Sequence, residues 1–159
     1  MHGRRAGGNW TLLHAAESVR FDQPGQTKRF RVSSRGKIAE LQFNFTAVAN
    51  ATDADAIAIA ELAIQGMPPP LPPQPACKQI GSCEVCACCS IDASSFKAKE
   101  GPLGIVDGNA LSKWHTQWEP SPFHSMYPWL SLHFNEPVTI TGYNMTAAND
   151  FENRDPSAW

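Results

Sequence analysis

Asp107-Gly108-Asn109, followed by Ser112, puts a carboxylate, a carboxamide and a hydroxyl into one short turn, which is the all-oxygen donor set that calcium prefers. Polar and aromatic side chains gather downstream of it: His115 and Trp118, then Asn149, Asp150 and Arg154, in stretches that read as loops. Aromatic rings stack on the C–H faces of sugars, and planar amide, carboxylate and guanidinium groups take paired hydroxyls, so these five form a candidate carbohydrate site. A competing reading treats Trp114, Trp129 and Trp159 as core residues and Arg154-Asp155 as an internal ion pair that fixes the loop. For the calcium turn the plain alternative is that Asp107 only caps it.

The five cysteines, Cys77, Cys83, Cys86, Cys88 and Cys89, are crowded together just after a proline run. Cys83-x-x-Cys86 is a pair that zinc could use, but no histidine is near and Cys88-Cys89 are adjacent. In an exported chain local disulfides fit better and leave one odd thiol for an intermolecular bond, while free thiols remain a third reading. Five histidines, His2, His14, His115, His124 and His133, are scattered, with His133 expected on an exposed strand face. No nucleophile elbow, HExxH motif, phosphate loop or paired-carboxylate motif appears, so no enzyme is expected.

The elements that would carry these residues are short strands. Leu130, Leu132 and Phe134 alternate with Ser131 and His133; Asn135-Glu136-Pro137 breaks the run, and Val138 with Ile140 restarts it, which predicts two strands joined by a turn. Tyr143 and Met145 then fall on the opposite parity unless Thr141-Gly142 is a bulge, and a bulge is expected. Upstream, residues 7–13 read as a turn feeding a short strand and 26–32 as another strand, with Phe30 and Val32 alternating against Arg29 and Arg31. Residues 38–48 are the clearest strand: Leu41, Phe43, Phe45 and Ala47 share one face and Gln42, Asn44 and Thr46 the other, which puts Asn44 toward solvent. The run AIAIAELAI at 56–64 suits a helix by its alanines and a strand bulged at Ala60-Glu61 by its isoleucines and leucine.

The ordered motifs DGN-x-x-S-K-W-H-x-x-W, P-W-L-S-L, V-T-I-T-G-Y and N-D-x-x-x-R-D-P-x-x-W closely resemble the first half of a coagulation factor 5/8 type C, or discoidin, domain. GNWTLL, QTKRFRV, LQFNFTAVAN and ADAIAIAELAIQG resemble its second half, whose last strand ends in a similar A-E-L pattern, and this decides 56–64 as strand. The resemblance implies an all-β, galactose-binding-like jelly-roll sandwich, with its C-terminal half at 1–66, its N-terminal half at 93–159, and a Pro-rich and Cys-rich linker at 67–92. The halves are thus in reversed order. In similar domains the matching Asp turn and the Glu of the last strand hold a structural calcium, which implies Asp107, Asn109, Ser112 and Glu61 as ligands for Ca2+; the alternative for Glu61 is a nearby lysine.

Each half alone would leave strands unpaired and half a core exposed. The chain is then a circularly permuted domain, a segment across the junction of two tandem domains, or a molecule completed by its neighbour. The prolines from Pro68 to Pro75 predict a stiff rod of roughly 25 Å, better at separating two bodies than at folding back.

The chain of 159 residues is long enough for one good core. A formal charge of -2, from 13 basic and 15 acidic residues, suggests no polyanion and no nucleic-acid partner. No apolar run predicts a transmembrane segment, and Met1-His2-Gly3-Arg4-Arg5 does not lead into an apolar signal core. Sequons at Asn9, Asn44, Asn50 and Asn144, beside the cysteines, nevertheless point to an extracellular or cell-surface glycoprotein whose signal peptide lies outside this sequence. The expected function is a non-catalytic carbohydrate-binding or adhesion module with glycans or glycoproteins as partners. The alternative is a structural subunit of an extracellular filament, self-associating head-to-tail by strand complementation between chains.

Overall fold

The computed structural model describes residues 1–52, 54, 56–67, 89–117 and 127–159. Among them the fold is all-β. In chain order the strands are β1 (His2–Arg4), β2 (Trp10–Leu12), β3 (Thr27–Arg31), β4 (Lys37–Asn44), β5 (Ala47–Val48), β6 (Ala58–Met67), β7 (Cys89–Ala93), β8 (Trp114–His115), β9 (Trp129–Ala147) and β10 (Pro156–Ala158). Two 3-10 turns, Pro102–Ile105 and Glu152–Arg154, sit in the connections. No described helix is long and apolar enough to cross a membrane.

β9, with 19 residues, is the spine. Its first stretch runs antiparallel between β4 and β7, and its second between β3 and β6. The curled sheet follows the order β2-β1-β4-β9-β6-β8, with β3 and β7 also on β9; β5 and β10 make a separate small ladder. Backbone groups buried in a core must find partners, and β9 finds them on both sides along nearly its whole length.

The expected turn at Asn135-Glu136-Pro137 does not reverse the chain. Ile38 pairs with Val138 and Glu40 with His133, so the extra β9 residues bulge out opposite Ala39 while the strand continues. The reason is pairing: β4 offers partners to both arms of β9, and Pro137, which has no N–H to give a ladder, sits in the bulge. The parity flip at Thr141-Gly142 is a bulge, because Gln65 pairs with Gly142 and Gly66 with Ile140, leaving exposed Thr141 without an opposite number. Val138 and Ile140 before it and Tyr143 and Met145 after it are therefore all buried. A Cβ on Gly142 would come within 2.6 Å of the Phe30 carbonyl oxygen, so only glycine lets β3 close on β9 here.

Residues 58–67 are strand throughout. Ile59 pairs with Ala147 and Glu61 with Thr146, which makes Ala60 the bulged residue and buries Ile57, Ile59, Leu62 and Ile64 alike. On β4, Leu41 and Phe43 are fully buried, as is Phe45 just beyond it. Each such side chain contributes roughly 1.5–3 kcal/mol by leaving water.

The centre of the core is aromatic. Phe43 lies edge-on to Tyr143 at 5.1 Å, Phe30 stacks on Tyr143 at 4.9 Å, and Phe45 contacts Trp114 at 5.8 Å. The Trp159 indole N–H donates to the Tyr143 hydroxyl at 2.6 Å, and that hydroxyl is 3.1 Å from His14 Nδ1. Strands from the two ends of the chain alternate across the sheet: β4 and β6 come from the first 67 residues, β9 and β8 from beyond residue 88. β4, β6 and β3 thus take their central partner from the other end of the same chain.

Candidate functional site

The turn at Asp107 begins where the first 3-10 turn ends. Asp107 Oδ1 accepts the Asn109 amide at 2.9 Å, and Ser112 Oγ donates to the Asp107 carboxylate at 2.7 Å. Asn109 Oδ1 accepts the Leu111 amide at 3.1 Å, so its carboxamide is committed to the turn. β6 brings Glu61 onto this turn from the other half of the chain. The two carboxylates meet: burial first, then repulsion from and hydrogen bonding with Asp107, raises Glu61 to about 7, against the pull of the Asn109 and Gly108 amides. Glu61 Oε1 is buried without a hydrogen-bond partner. Among the described residues no lysine pairs with Glu61.

Two carboxylates forced together need a shared proton or a cation between them. The oxygens of Glu61, Asp107 and Ser112 fit a hard divalent ion, and the orphaned Glu61 oxygen marks where it would bind. Among the described residues no three acids, histidines or cysteines converge, so neutral oxygens would have to supply the remaining ligands. Beside Glu61 lies an open concavity of about 350 Å³ lined by Thr27, Ala63, Gly108, Ala110, Asn144 and Thr146.

The same segment runs on into the second candidate set. Lys113 follows Ser112, is only 9% exposed, and reaches Asp150 Oδ2 at 2.6 Å and Glu100 Oε1 at 3.6 Å. Asp150 is thus the partner of a buried ammonium. Asn149 is exposed beside it. His115 is 1% exposed, with Nδ1 2.6 Å from the Thr116 carbonyl oxygen, and burial lowers its pKa. It supports the loop from beneath and presents no edge to a ligand. Trp118 lies outside the described residues.

Arg154 is buried rather than displayed, and its guanidinium lies over the Phe151 ring at 4.2 Å. The expected ion pair with Asp155 does not form: both Asp155 oxygens are buried without a hydrogen-bond partner. Adjacent residues in an irregular turn send their side chains apart, here Arg154 to the ring and Asp155 inward. Phe151 is the residue that sequence reasoning missed. It is 60% exposed, held at φ 45°, and sits between Asn149-Asp150 and Arg154. A non-glycine residue in that conformation carries strain of order 1–3 kcal/mol. The available signal was an aromatic inside an otherwise polar loop.

Trp114 and Trp159 are core residues and Trp129 is half-buried. His133 is not simply exposed; it is half-buried, with Nδ1 3.4 Å from Glu40 and Nε2 3.1 Å from Asp92. Of the sequons, Asn9 is exposed just before β2 and Asn50 is exposed in a turn. Asn44 points off the core but is half-buried, accepting from Gln42 at 3.1 Å with His2 Nδ1 at 3.4 Å, and Asn144 accepts from Gln65 at 3.3 Å. Cys77, Cys83, Cys86, Cys88, His124 and the proline run lie outside the described residues. Neither a known protein family nor a curated protein matches the chain.

Proposed function

We propose that the chain is a non-catalytic carbohydrate-binding or adhesion module of discoidin type, a jelly-roll sandwich stabilised by calcium and working outside the cell on glycans or glycoproteins. The observation that carries this reading is the meeting of Glu61 with the Asp107 turn. They lie in opposite halves of the chain, yet β6 delivers the carboxylate to the same oxygen-rich corner that the resemblance implies as a calcium site. A cation held there would draw β6 and the turn together and stiffen the loop leading through Lys113 to Asp150.

Asn149, Phe151 and the Asp150–Lys113 pair are the surface this loop offers to a sugar. Phe151 supplies the apolar face, and Asn149 and Asp150 supply planar polar groups. The filament alternative rested on the reversed halves, the proline rod and the odd cysteine; the rod and four of the five cysteines lie outside the described residues, and β4 and β6 pair with β9 in their own chain.

The test is retention of the protein on immobilised glycans with calcium and with chelator, beside calorimetric titration of calcium. Calcium binding lost in Glu61→Gln and Asp107→Asn, together with calcium-strengthened retention, supports the reading. Absence of calcium binding, or retention indifferent to Phe151→Ala and Asn149→Ala, overturns it.

A further inference from the structure

A second concavity, of about 330 Å³, opens between the β1–β2 hairpin and residues 33–38. It is remote from the Glu61 corner, since β4 and β9 stand between β1 and β6. Leu13 and Ile38, whose side chains meet at Gly3, give it an apolar base, and Thr11, Leu12, Ser33, Arg5 and Arg35 complete its lining, with Leu12 58% exposed.

Arg5 is held in place. Its Nη2 donates to the Arg35 carbonyl at 2.7 Å, and the guanidinium lies against Gly36, where a Cβ would meet Nη2 at 2.9 Å. Gly36 has φ 139°, and that backbone conformation reserves the position for glycine. Arg4, next in the chain, is neutralised by Glu40. Among the described residues no such ion pair forms at Arg5, Arg35 or neighbouring Lys37. A chain with a formal charge of -2 has therefore placed two arginines with no acid partner, Arg5 and Arg35, around one hollow.

Cations lining a concave surface raise the local concentration of anions, and a guanidinium fork takes a carboxylate or sulfate through two parallel hydrogen bonds. The apolar base suits the C–H face of a ring, and the hydroxyls of Thr11 and Ser33 suit a ligand that carries hydroxyls of its own; an aliphatic tail would leave them unused. We propose that this hollow binds the oxyanion of an acidic sugar unit, a uronate carboxylate or a sulfate ester, on Arg5 and Arg35. The oxyanion preference stands by itself; the choice of a sugar as its carrier rests on the glycan-binding reading above. No cation is needed, and no residue of the Glu61 corner takes part.

The experiment is a titration of the full chain, followed by NMR amide shifts and calorimetry, with four probes: glucuronic acid, a mono-sulfated disaccharide, the same disaccharide unsulfated, and inorganic sulfate. The acidic sugars are expected to shift residues 3–13 and 33–38. Arg5→Gln with Arg35→Gln is expected to weaken them at least about tenfold, with chelator and Glu61→Gln without effect. Both arginines are exposed, so the melting temperature should stay within about 2 °C. Uronate against sulfate ester distinguishes the two oxyanions. Equal binding of the unsulfated disaccharide, or undiminished binding in the double variant, overturns the site. Binding lost in Glu61→Gln but kept in the double variant overturns it while sparing the calcium-corner reading. Inorganic sulfate binding as tightly as the sulfated sugar overturns the sugar as carrier.

Discussion

The carboxyl of Glu61, on β6, is set against the carboxyl of Asp107, in the turn before β8, although the two belong to opposite ends of the chain. Without a metal ion that contact holds only while one of the pair keeps a proton. Glu61 is raised from 4.5 to about 7. A carboxyl whose folded value lies above its unfolded one contributes stability that is present below pH 4.5 and lost as pH rises through about 7. In chelator the melting temperature should therefore fall between pH 6 and 8, by a few degrees. Calcium should reverse this at pH 8 and weaken in effect as pH drops below 7, where protons compete. Glu61→Gln should flatten both responses in a thermal-shift series; an unchanged series would remove the pair from the account.

Asp155 gives a second, separable pH response. It is 1% exposed, and burial, then repulsion from Glu152 and Asp150, raises it to about 7. The Ala148 amide draws it back part-way but makes no hydrogen bond of normal geometry. The sign is that of Glu61: stability present below 3.8 is lost as pH rises through about 7. Asp155→Asn should melt higher than the parent at pH 8.5 and show little difference at pH 3.5. An equal difference at both values would mean that packing, not ionisation, is at stake.

Tyr143 holds a buried bridge, accepting from Trp159 and meeting His14. Tyr143→Phe keeps the ring but strands the indole N–H, and should cost about 1–3 kcal/mol in urea unfolding. Burial lowers the His14 pKa below 6.5, so its neutral form belongs to the fold. Stability tied to His14 is present above pH 6.5 and falls on acidification, and His14→Gln should reduce that slope.

Gly142 is the tightest point of the β3–β9 pairing. Gly142→Ala would press a methyl against the Phe30 carbonyl and the Gln65 side chain. The expected loss is about 1–3 kcal/mol, read as a lower urea midpoint with unchanged slope. A neutral result would show that β3 can lift from β9 without cost.

Period and composition determined much of this molecule. Alternation in Leu41-Phe43-Phe45 and in Leu130-Leu132-Phe134 names the buried face, because a strand with one face in a core must repeat every second residue. The parity breaks at Ala60 and at Thr141-Gly142 name the bulges, since an extra residue is the only way to keep both arms apolar inward. The oxygen-rich turn is legible for the same local reason.

Tertiary structure decided what depends on partners distant in sequence. Asn135-Glu136-Pro137 reads as a reversal, yet β4 pairs on both sides of it, and no local signal records that. Arg154 and Asp155 are adjacent and opposite in charge, but one lies on Phe151 and the other points inward. Net charge suggests no anionic partner, whereas the sheet takes Glu40 to Arg4 and, among the described residues, leaves Arg5 and Arg35 without an acid. Strand order decides which charges meet, and a sequence read in order carries no distances across a sheet.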